Sequence, residues 1–595
     1  MSELASTKSA SDGSAPPDDP EQELDQFLRP LVINDAVVHS LAYQFSKVYE
    51  ELALHSEEQF LPTPVTKLPS GRETGQFLAI DVGGTNLRVA FIELLGDTPS
   101  DDRLPNANGA ERSRETIRNA QRPRVRRTLE KAWPIGEHLK MDQTEDLFAW
   151  IGDCIAEVVG DQLASDMGKF PVPEELPMGI TFSFPMIQTE VSSATLMPMG
   201  KGFGISSNLD LGSTLLQGYA RHTRRQSQGS SPRAKRRKLG PLPRLKIAAI
   251  TNDTIATLAS LAYTVKSLPN SRVAAGIIVG TGCNATIPMP FSKLGEAKVE
   301  SIRKIKPDAT ETVVNTEITI AGACGPLEAV TTEWDRQLDA ECARPGFQPL
   351  EYMTGGRYIG ELVRIIFLDY MTRVHKPPIP PAALPATIVH SYSFTTTFLS
   401  AVVARARSDS ELAGELKRRI PPPESSNWGW TSESAGALRK IAHLVQVRSA
   451  GLIAAATVGL LAMVGEIALV EPASPASGQD VTMTTAPNSR PPSPKPTGHL
   501  SAPAYDAADG LSPAPGATAW RSGPEELVVA YTGGIIQHYP NFKEQCQRFI
   551  DRLVMKAGPQ DGGKSVFLRE SRDGGIIGAG VLAGMEANEQ NTRAS

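Results

Sequence analysis

Hydrophobic residues recur at spacings of three and four near the start of the chain. Leu24, Phe27, Leu28, Leu31 and Val32 lead to Val37, Val38, Leu41, Ala42, Phe45, Val48 and Tyr49. That period predicts amphipathic helices over 23–55. The pattern then shortens. An apolar run at Phe77–Asp81 enters a pair of glycines and leaves as a second run, Leu87–Leu95, which predicts strand, turn, strand. Helical spacing returns with LFAWIGDCIAEVV from about Glu145, while MGITFSF and LKIAAI read as strands. Further strand–turn units are predicted at Ala274–Ala285 and Val313–Ile320. Helical patterns dominate from about Gly325 to Val470, broken by VHKPPIPPAALP. The chain closes with the strand LVVAY, a glycine turn, a helix over Asn541–Lys556 and an apolar helix from Gly578.

Four stretches break these patterns. Residues 1–22 form a polar tail. Residues 96–127 are polar, 221–243 are basic, and 471–523 are rich in Pro, Ser and Ala. Such compositions bury too little apolar surface to pack, so disordered insertions are expected. Setting them aside leaves about 465 residues of folded chain. The expected division is N-terminal helices of a larger lobe over 23–75, a smaller lobe over 76–220, and the rest of the larger lobe over 244–588. No internal duplication is visible beyond repeated glycine turns. The run Ser449–Val470 is nearly long enough to span a bilayer. It is rich in Ala and Gly, carries Glu466 and lacks basic flanks at both ends, so a buried helix is expected and no membrane partner.

Composition narrows the classes. Hydrophobic residues make up 40% of the 595, enough for sizeable cores. Lys plus Arg number 60 against 66 Asp plus Glu, a net charge of −6, so no direct nucleic-acid partner is expected. Five scattered cysteines with no CxxC argue against a disulfide framework and against a zinc site. The acidic N-terminus lacks the positive-then-apolar order of a secretory signal, which sets the expectation of an intracellular protein.

Two glycine turns are candidates for phosphate binding. In IDVGGTNLRVA, Gly83 and Gly84 let backbone N–H groups approach an anion, Thr85 and Asn86 add short polar groups, and Arg88 supplies charge. Asp81 can hold Mg²⁺ through water. A plain hairpin turn fits the same string. IIVGTGCNA repeats the arrangement at Gly280, Thr281 and Gly282. YTGGIIQHYP, with Gly533, and RDGGIIGAG are weaker examples. No GxxxxGK[ST] occurs, and the first turn enters a strand, unlike a dinucleotide fingerprint. Paired strand–glycine–strand units suggest two related lobes closing on a nucleotide.

Between these turns lie polar residues suited to a polyol. Ser183 follows a strand in FSFPMIQ, Lys201 sits in GKGF, and Asn252 and Asp253 open a helix in AITNDTIATL. Asn284, Glu317 in NTE and Glu351 in LEYMTGGRYIGE complete the set. Each alone is an ordinary capping or surface residue, and Asp253 alone fits a helix cap. Together they offer donors and acceptors for hydroxyls, and a carboxylate can take a hydroxyl proton during phosphoryl transfer.

The strings FLAIDVGGTNLRVA, TFSFP, NDTIATL, GTGCNA, NTE and GGRYIGELVR together resemble the eukaryotic hexokinase family over about 23–588. The resemblance implies a two-lobed α/β fold of the actin-like ATPase (ribonuclease H-like) architecture. It also implies ATP with Mg²⁺ and a hexose (glucose, fructose or mannose) as ligands. By resemblance, Asp253 is the base for the sugar 6-hydroxyl and Lys201 a further catalytic and sugar contact. Ser183, Asn252, Asn284, Glu317 and Glu351 grip the sugar. Asp81, Gly83, Gly84, Thr85, Asn86 and Arg88 form the first phosphate hairpin, Gly280, Thr281 and Gly282 the second, and Gly533 approaches the adenosine.

The departures from the family are concentrated. Its INxGxLxRWTKGF becomes VSSATLMPMGKGF, so Ser192, Ala194, Pro198, Met199 and Gly200 are atypical. Ile318 and Thr319 replace Trp and Gly beside Glu317. Thr532 and Gly534 replace Asp and Ser, and Gly575 and Ile576 replace Ser and Gly. Two or three lost hydrogen bonds at about 1–3 kcal/mol each weaken a ternary complex by roughly 10²-fold or more. A weak or absent phosphotransferase with a regulatory role is therefore expected, with a fully active hexokinase as the alternative. The KRRK run, Lys235, Arg236, Arg237 and Lys238, lies beyond Arg224–Arg225 and suits a nuclear import signal. Ser227, Ser230 and Ser231 beside it would carry charge-offsetting phosphate. This narrower pattern resembles the atypical nuclear hexokinase-like proteins of filamentous fungi, which implies a nuclear or cytoplasmic location, an import receptor and regulatory protein partners.

Overall fold

The turn at Gly83 and Gly84 joins two long strands in antiparallel register, from Thr74 opposite Leu95 to Val82 opposite Leu87. The computed structural model describes residues 20–96, 123–136, 138–139, 144–166, 171–184, 186–197, 208–223, 242–264, 271–472 and 525–594. Lys201, the KRRK run, and most of the tail and of each expected insertion lie outside them. The described strands are β1 (Leu61–Pro62), β2 (Thr74–Val82), β3 (Asn86–Leu95), β4 (Val125–Pro134), β5 (Glu175–Phe182), β6 (Met186–Glu190), β7 (Ser193–Leu196), β8 (Arg244–Thr251), β9 (Ser271–Val279), β10 (Cys283–Pro290), β11 (Glu311–Asn315), β12 (Glu526–Thr532) and β13 (Ser565–Glu570).

They form a five-stranded sheet of order β4-β3-β2-β5-β8, a six-stranded sheet of order β1-β11-β10-β9-β12-β13, and the ribbon β6-β7. In the first sheet β2, β3 and β4 are antiparallel, and β5 and β8 run parallel to β2. In the second, β9, β10 and β11 are antiparallel, and β12 and β13 run parallel to β9. Apart from β1, the two sheets share one strand order and one sense.

Several boundaries differ from the sequence reading. The strand β8, assigned to the larger lobe, closes the edge of the five-stranded sheet through parallel pairing with β5. The strand β4 starts at Val125, inside the stretch read as an insertion. Its string VRRTLEKAWP is polar because it is an edge strand with little burial on either face. The first helical pattern breaks after Leu28, and a new helix, Asp35–His55, starts where the Asn34 side chain accepts from the Val37 N–H at 3.0 Å. The last helix begins at Gly574.

The smaller sheet is covered on both faces. Ile80, Val82, Val89 and Phe91 pack against Leu147, Ile151 and Ile155 of the helix Thr144–Ser165. Ala79, Ala90 and Ile92, on the other face, meet the helix Gly574–Ala594 through Ala579, Leu582 and Ala583, and the helix Asp253–Thr264 packs beyond it, between that helix and β9 of the six-stranded sheet. Full burial of a leucine such as Leu258 or Leu582 contributes about 1.5–3 kcal/mol. In the larger lobe the helix Ser432–Val464 carries most of the apolar run. It starts on a Thr431–Ser434 capping box, stops at Gly465 with φ +88°, and has 83% of its most apolar window buried inside the protein. Arg448, on that helix, makes two hydrogen bonds to Asp335 (2.6 and 2.7 Å), and both residues are buried.

Candidate active site

Strands β2, β5, β8, β9 and β12 all end at one crevice, the place where open α/β sheets bind ligands. The cleft holds about 550 Å³. Asp81, Gly83, Gly84, Thr85, Asn86, Arg88, Ser183, Asn252, Asp253, Gly280, Thr281, Gly282, Asn284, Glu317, Glu351 and Gly533 all line it. Of the residues singled out for catalysis or ligand binding, Lys201 lies outside the described residues.

Asp253 is the first residue of its helix, but it does not cap it. The Asn252 carboxamide accepts from the Thr254 N–H (2.9 Å) and hydroxyl (2.7 Å) and so takes the capping role. Asp253 is left on the cleft wall, with Thr257 one turn further along the same face.

One end of the cleft is a rigid polar network. Glu317 has φ +49°, a conformation that costs a non-glycine residue of order 1–3 kcal/mol. Its surroundings over-determine it. The Asn284 side-chain oxygen accepts from the Glu317 N–H (3.1 Å), and the carboxamides of Asn284 (2.9 Å) and Asn315 (2.8 Å) both donate to Glu317 Oε1. Gln59 donates to the Glu317 carbonyl at 2.9 Å. Glu351 accepts from the Cys283 N–H at 3.1 Å, so the second glycine turn and this carboxylate are tied. The turn is held from behind as well: its carbonyls at Gly280 and Thr281 accept from Gly356 (2.8 Å) and Arg357 (3.1 Å). This is the structural work of the GGRYIGELVR string. Gly533 has φ +120°, and a Cβ there would lie 2.4 Å from the Val279 carbonyl, so only glycine lets β12 turn this close to β9.

The other end is charged. Arg88 donates to Asp81 (2.7 and 3.2 Å) and to Asp573 (2.7 Å), and Arg127 reaches Asp573 at 2.9 Å. Burial pushes the Asp81 carboxyl up. The adjacent Arg88 works against that shift, while the charges of Asp253 and Asp573 add to it. For Arg88, burial opposes the charge, but Asp81 and Asp573 hold its proton more firmly than usual. Asp81 and Asp253 supply hard oxygen donors in a carboxylate-rich corner, which fits a Mg²⁺ ion. Among the described residues no group of three His, Cys, Asp or Glu side chains is placed to hold a metal.

The structure also locates the departures. Ile318 is buried in the larger core, and Thr319, fully buried, accepts from Gln348 at 3.4 Å. Gly575 lies against Asp81: a Cβ there would come within 2.6 Å of its carboxylate. Serine at 575 would therefore move Asp81. Sequence reasoning missed Phe184, Thr257, Phe347, Gln348 and Gln537 on the cleft wall. The i+4 spacing from Asp253 was an available signal for Thr257; single polar residues such as Gln348 and Gln537 carry none.

Hexokinase family models match residues 23–263 and 274–585. The chain is 26% identical over 534 residues to hexokinase-1 of Nicotiana tabacum, covering 89% of this chain and 83% of that one. It is 31% identical over 313 residues to a hexokinase of Schistosoma mansoni, covering 53% of this chain and 56% of that protein. A solved structure of Schistosoma mansoni hexokinase complexed with glucose superposes with a TM-score of 0.64 at 22% identity, covering 95% of this chain and all of that one. Its likeness bears on the fold, and the family models carry the assignment: this chain belongs to the hexokinase family.

Proposed function

We propose that this protein binds a hexose and ATP together in the cleft, transfers the terminal phosphoryl group to the sugar weakly or not at all, and serves carbon-source regulation. The observation that carries the attenuated reading is Arg88. Its guanidinium is engaged by Asp81 and Asp573 at 2.7 Å each, so binding a nucleotide phosphate there must first break charge-assisted hydrogen bonds.

In the productive arrangement the hexose lies at the network end. Glu317, Glu351, Asn252 and Asn284 take its hydroxyls, which gives acceptors and donors already fixed in place. Asp253 accepts the proton of the 6-hydroxyl as that oxygen attacks the terminal phosphorus of ATP. The glycine turns at 83–84 and 280–282 face the phosphates from the two lobes. Asp81 and Asp253 would hold Mg²⁺, which when bound offsets phosphate charge. Closure of the lobes would exclude water and prevent hydrolysis of ATP.

Full hexokinase activity is the second reading, favoured by Asp253 lying on the cleft wall with both glycine turns. A nuclear role rests on the sequence, through Lys235–Lys238 and the departures around Gly200, which resemble the atypical fungal hexokinase-like proteins. A coupled assay with ATP, Mg²⁺ and glucose, fructose or mannose separates the readings. Turnover at least about 10²-fold below that of an active hexokinase supports attenuation. Fast turnover abolished in Asp253→Ala establishes the active enzyme. Nuclear fluorescence of a tagged chain, lost when Lys235–Lys238 become alanine, tests the import signal.

A further inference from the structure

The hydrogen bond from Gln59 to the Glu317 carbonyl joins the cleft to a residue that does not line it. Gln59 lies 258 positions earlier in the chain, between the helix Asp35–His55 and β1, and is 2% exposed. Its Nε2 donates to the Glu317 carbonyl at 2.9 Å and to the Ile320 carbonyl at 3.4 Å. Two carbonyls on one side need a donor, which fixes the orientation of the carboxamide. The Glu317 carbonyl also accepts from the Ile320 N–H at 3.1 Å, and the Glu317 N–H is held by the Asn284 side chain.

Gln59 is itself held in place. Its N–H donates to the Ser56 hydroxyl at 3.1 Å. The Lys298 ammonium donates to the Gln59 carbonyl (2.7 Å) and to the carbonyls of Leu52 (2.9 Å) and Phe60 (3.2 Å). The Phe60 N–H donates to the Thr316 carbonyl at 3.1 Å, and Leu61 of β1 pairs with Asn315 of β11. Residues 59–61 therefore run alongside 315–317. A Cβ at position 322 would lie 2.3 Å from Gln59 Oε1, so Gly322 makes room for the carboxamide.

Glu317 has φ +49°, and its N–H is fixed. Rotation about its N–Cα bond toward an ordinary negative φ would swing the carbonyl and the side chain together. A bond to the carbonyl thus restrains the carboxylate. We propose that Gln59, anchored by Lys298, is a positioning residue for the hexose: it keeps the Glu317 carboxylate where a sugar hydroxyl meets it. The inference rests on the hexose reading of the cleft and adds to it a residue behind the wall.

The test titrates glucose, and separately ADP with Mg²⁺, into the full-length protein by calorimetry. Gln59→Met keeps the length of the side chain without its donor, and Gln59→Asn keeps the carboxamide but shortens its reach. Each weakens glucose binding about three- to tenfold and leaves the ADP affinity within about twofold. On a Glu317→Gln background, Gln59→Met adds no more than about a twofold loss, because it acts through the carboxylate already removed. Thermal melting checks that the variants fold; if Gln59→Met does not, Gln59→Asn takes its place in the double variant. Wild-type glucose affinity in both Gln59 variants overturns the proposal. So does an equal loss for glucose and ADP, the mark of a general loss of structure, or a full loss added to that of Glu317→Gln. No glucose binding by the wild type overturns the hexose reading, and the proposal falls with it.

Discussion

The two glycine turns that face each other across the cleft sit on sheets of the same strand order, yet their settings are opposite. The turn at 280–282 is held by fixed hydrogen bonds without ion pairs: its carbonyls accept from the backbone N–H groups of Gly356 and Arg357, and the Glu351 carboxylate accepts from the Cys283 N–H. The turn at 83–84 is bordered by charges, with Arg88 divided between Asp81 and Asp573, and Arg127 on Asp573 as well. A network of fixed hydrogen bonds is ready for a ligand and has little to rearrange. A set of paired charges must exchange partners when phosphate arrives. The comparison teaches that the side of the cleft built by the 280–282 turn, Glu351 and the Glu317 network is pre-formed, while the side built by the 83–84 turn and Arg88 is self-occupied.

The largest effect is expected where the two ends meet. Asp253→Ala should lower whatever phosphoryl transfer is measured by about 10²–10⁴-fold, with glucose affinity changed far less. At the pre-formed end, Glu317→Gln should weaken glucose binding by roughly 10–100-fold in calorimetry, because it removes a charged acceptor from several donors. At the self-occupied end, Asp573→Asn should release one side of Arg88 and lower the apparent KM for ATP about three- to tenfold. If both ends responded alike, the contrast between them would fail.

A smaller effect tests the charges themselves. The Asp81 carboxyl is raised by burial, so the folded protein holds that proton more tightly than the unfolded chain. Its stabilising contribution is complete below the ordinary carboxylate value of about 4 and is lost as pH rises through the raised native value. At pH 7 the ionised group costs stability. Asp81→Asn should therefore raise the melting temperature at pH 7 by about 1–3 °C, and the gain should shrink as pH falls toward about 4.

What the sequence disclosed was local. The hairpin of β2 and β3, the glycine turns and the helix opening at Asn252–Asp253 each carry their signal within ten residues, and the structure places them where the pattern pointed. The shared order of the two sheets was not visible, because it resides in how strands pair at long range and not in repeated residues. The strand β4 hid inside a polar stretch, since an edge strand buries too little to show alternation. Glu317 read as a simple acid after a strand. Its left-handed backbone and its two asparagine partners became apparent only when Asn284 and Asn315 came together on β10 and β11.

The central claim is that one cleft takes both a hexose and ATP. Calorimetric titration of glucose into the full-length protein, alone and with Mg²⁺ and a non-hydrolysable ATP analogue, tests it most directly. The account predicts one glucose per chain, tighter with the analogue present and weakened in Glu317→Gln. Absence of glucose binding, or binding indifferent to Glu317→Gln, would contradict it.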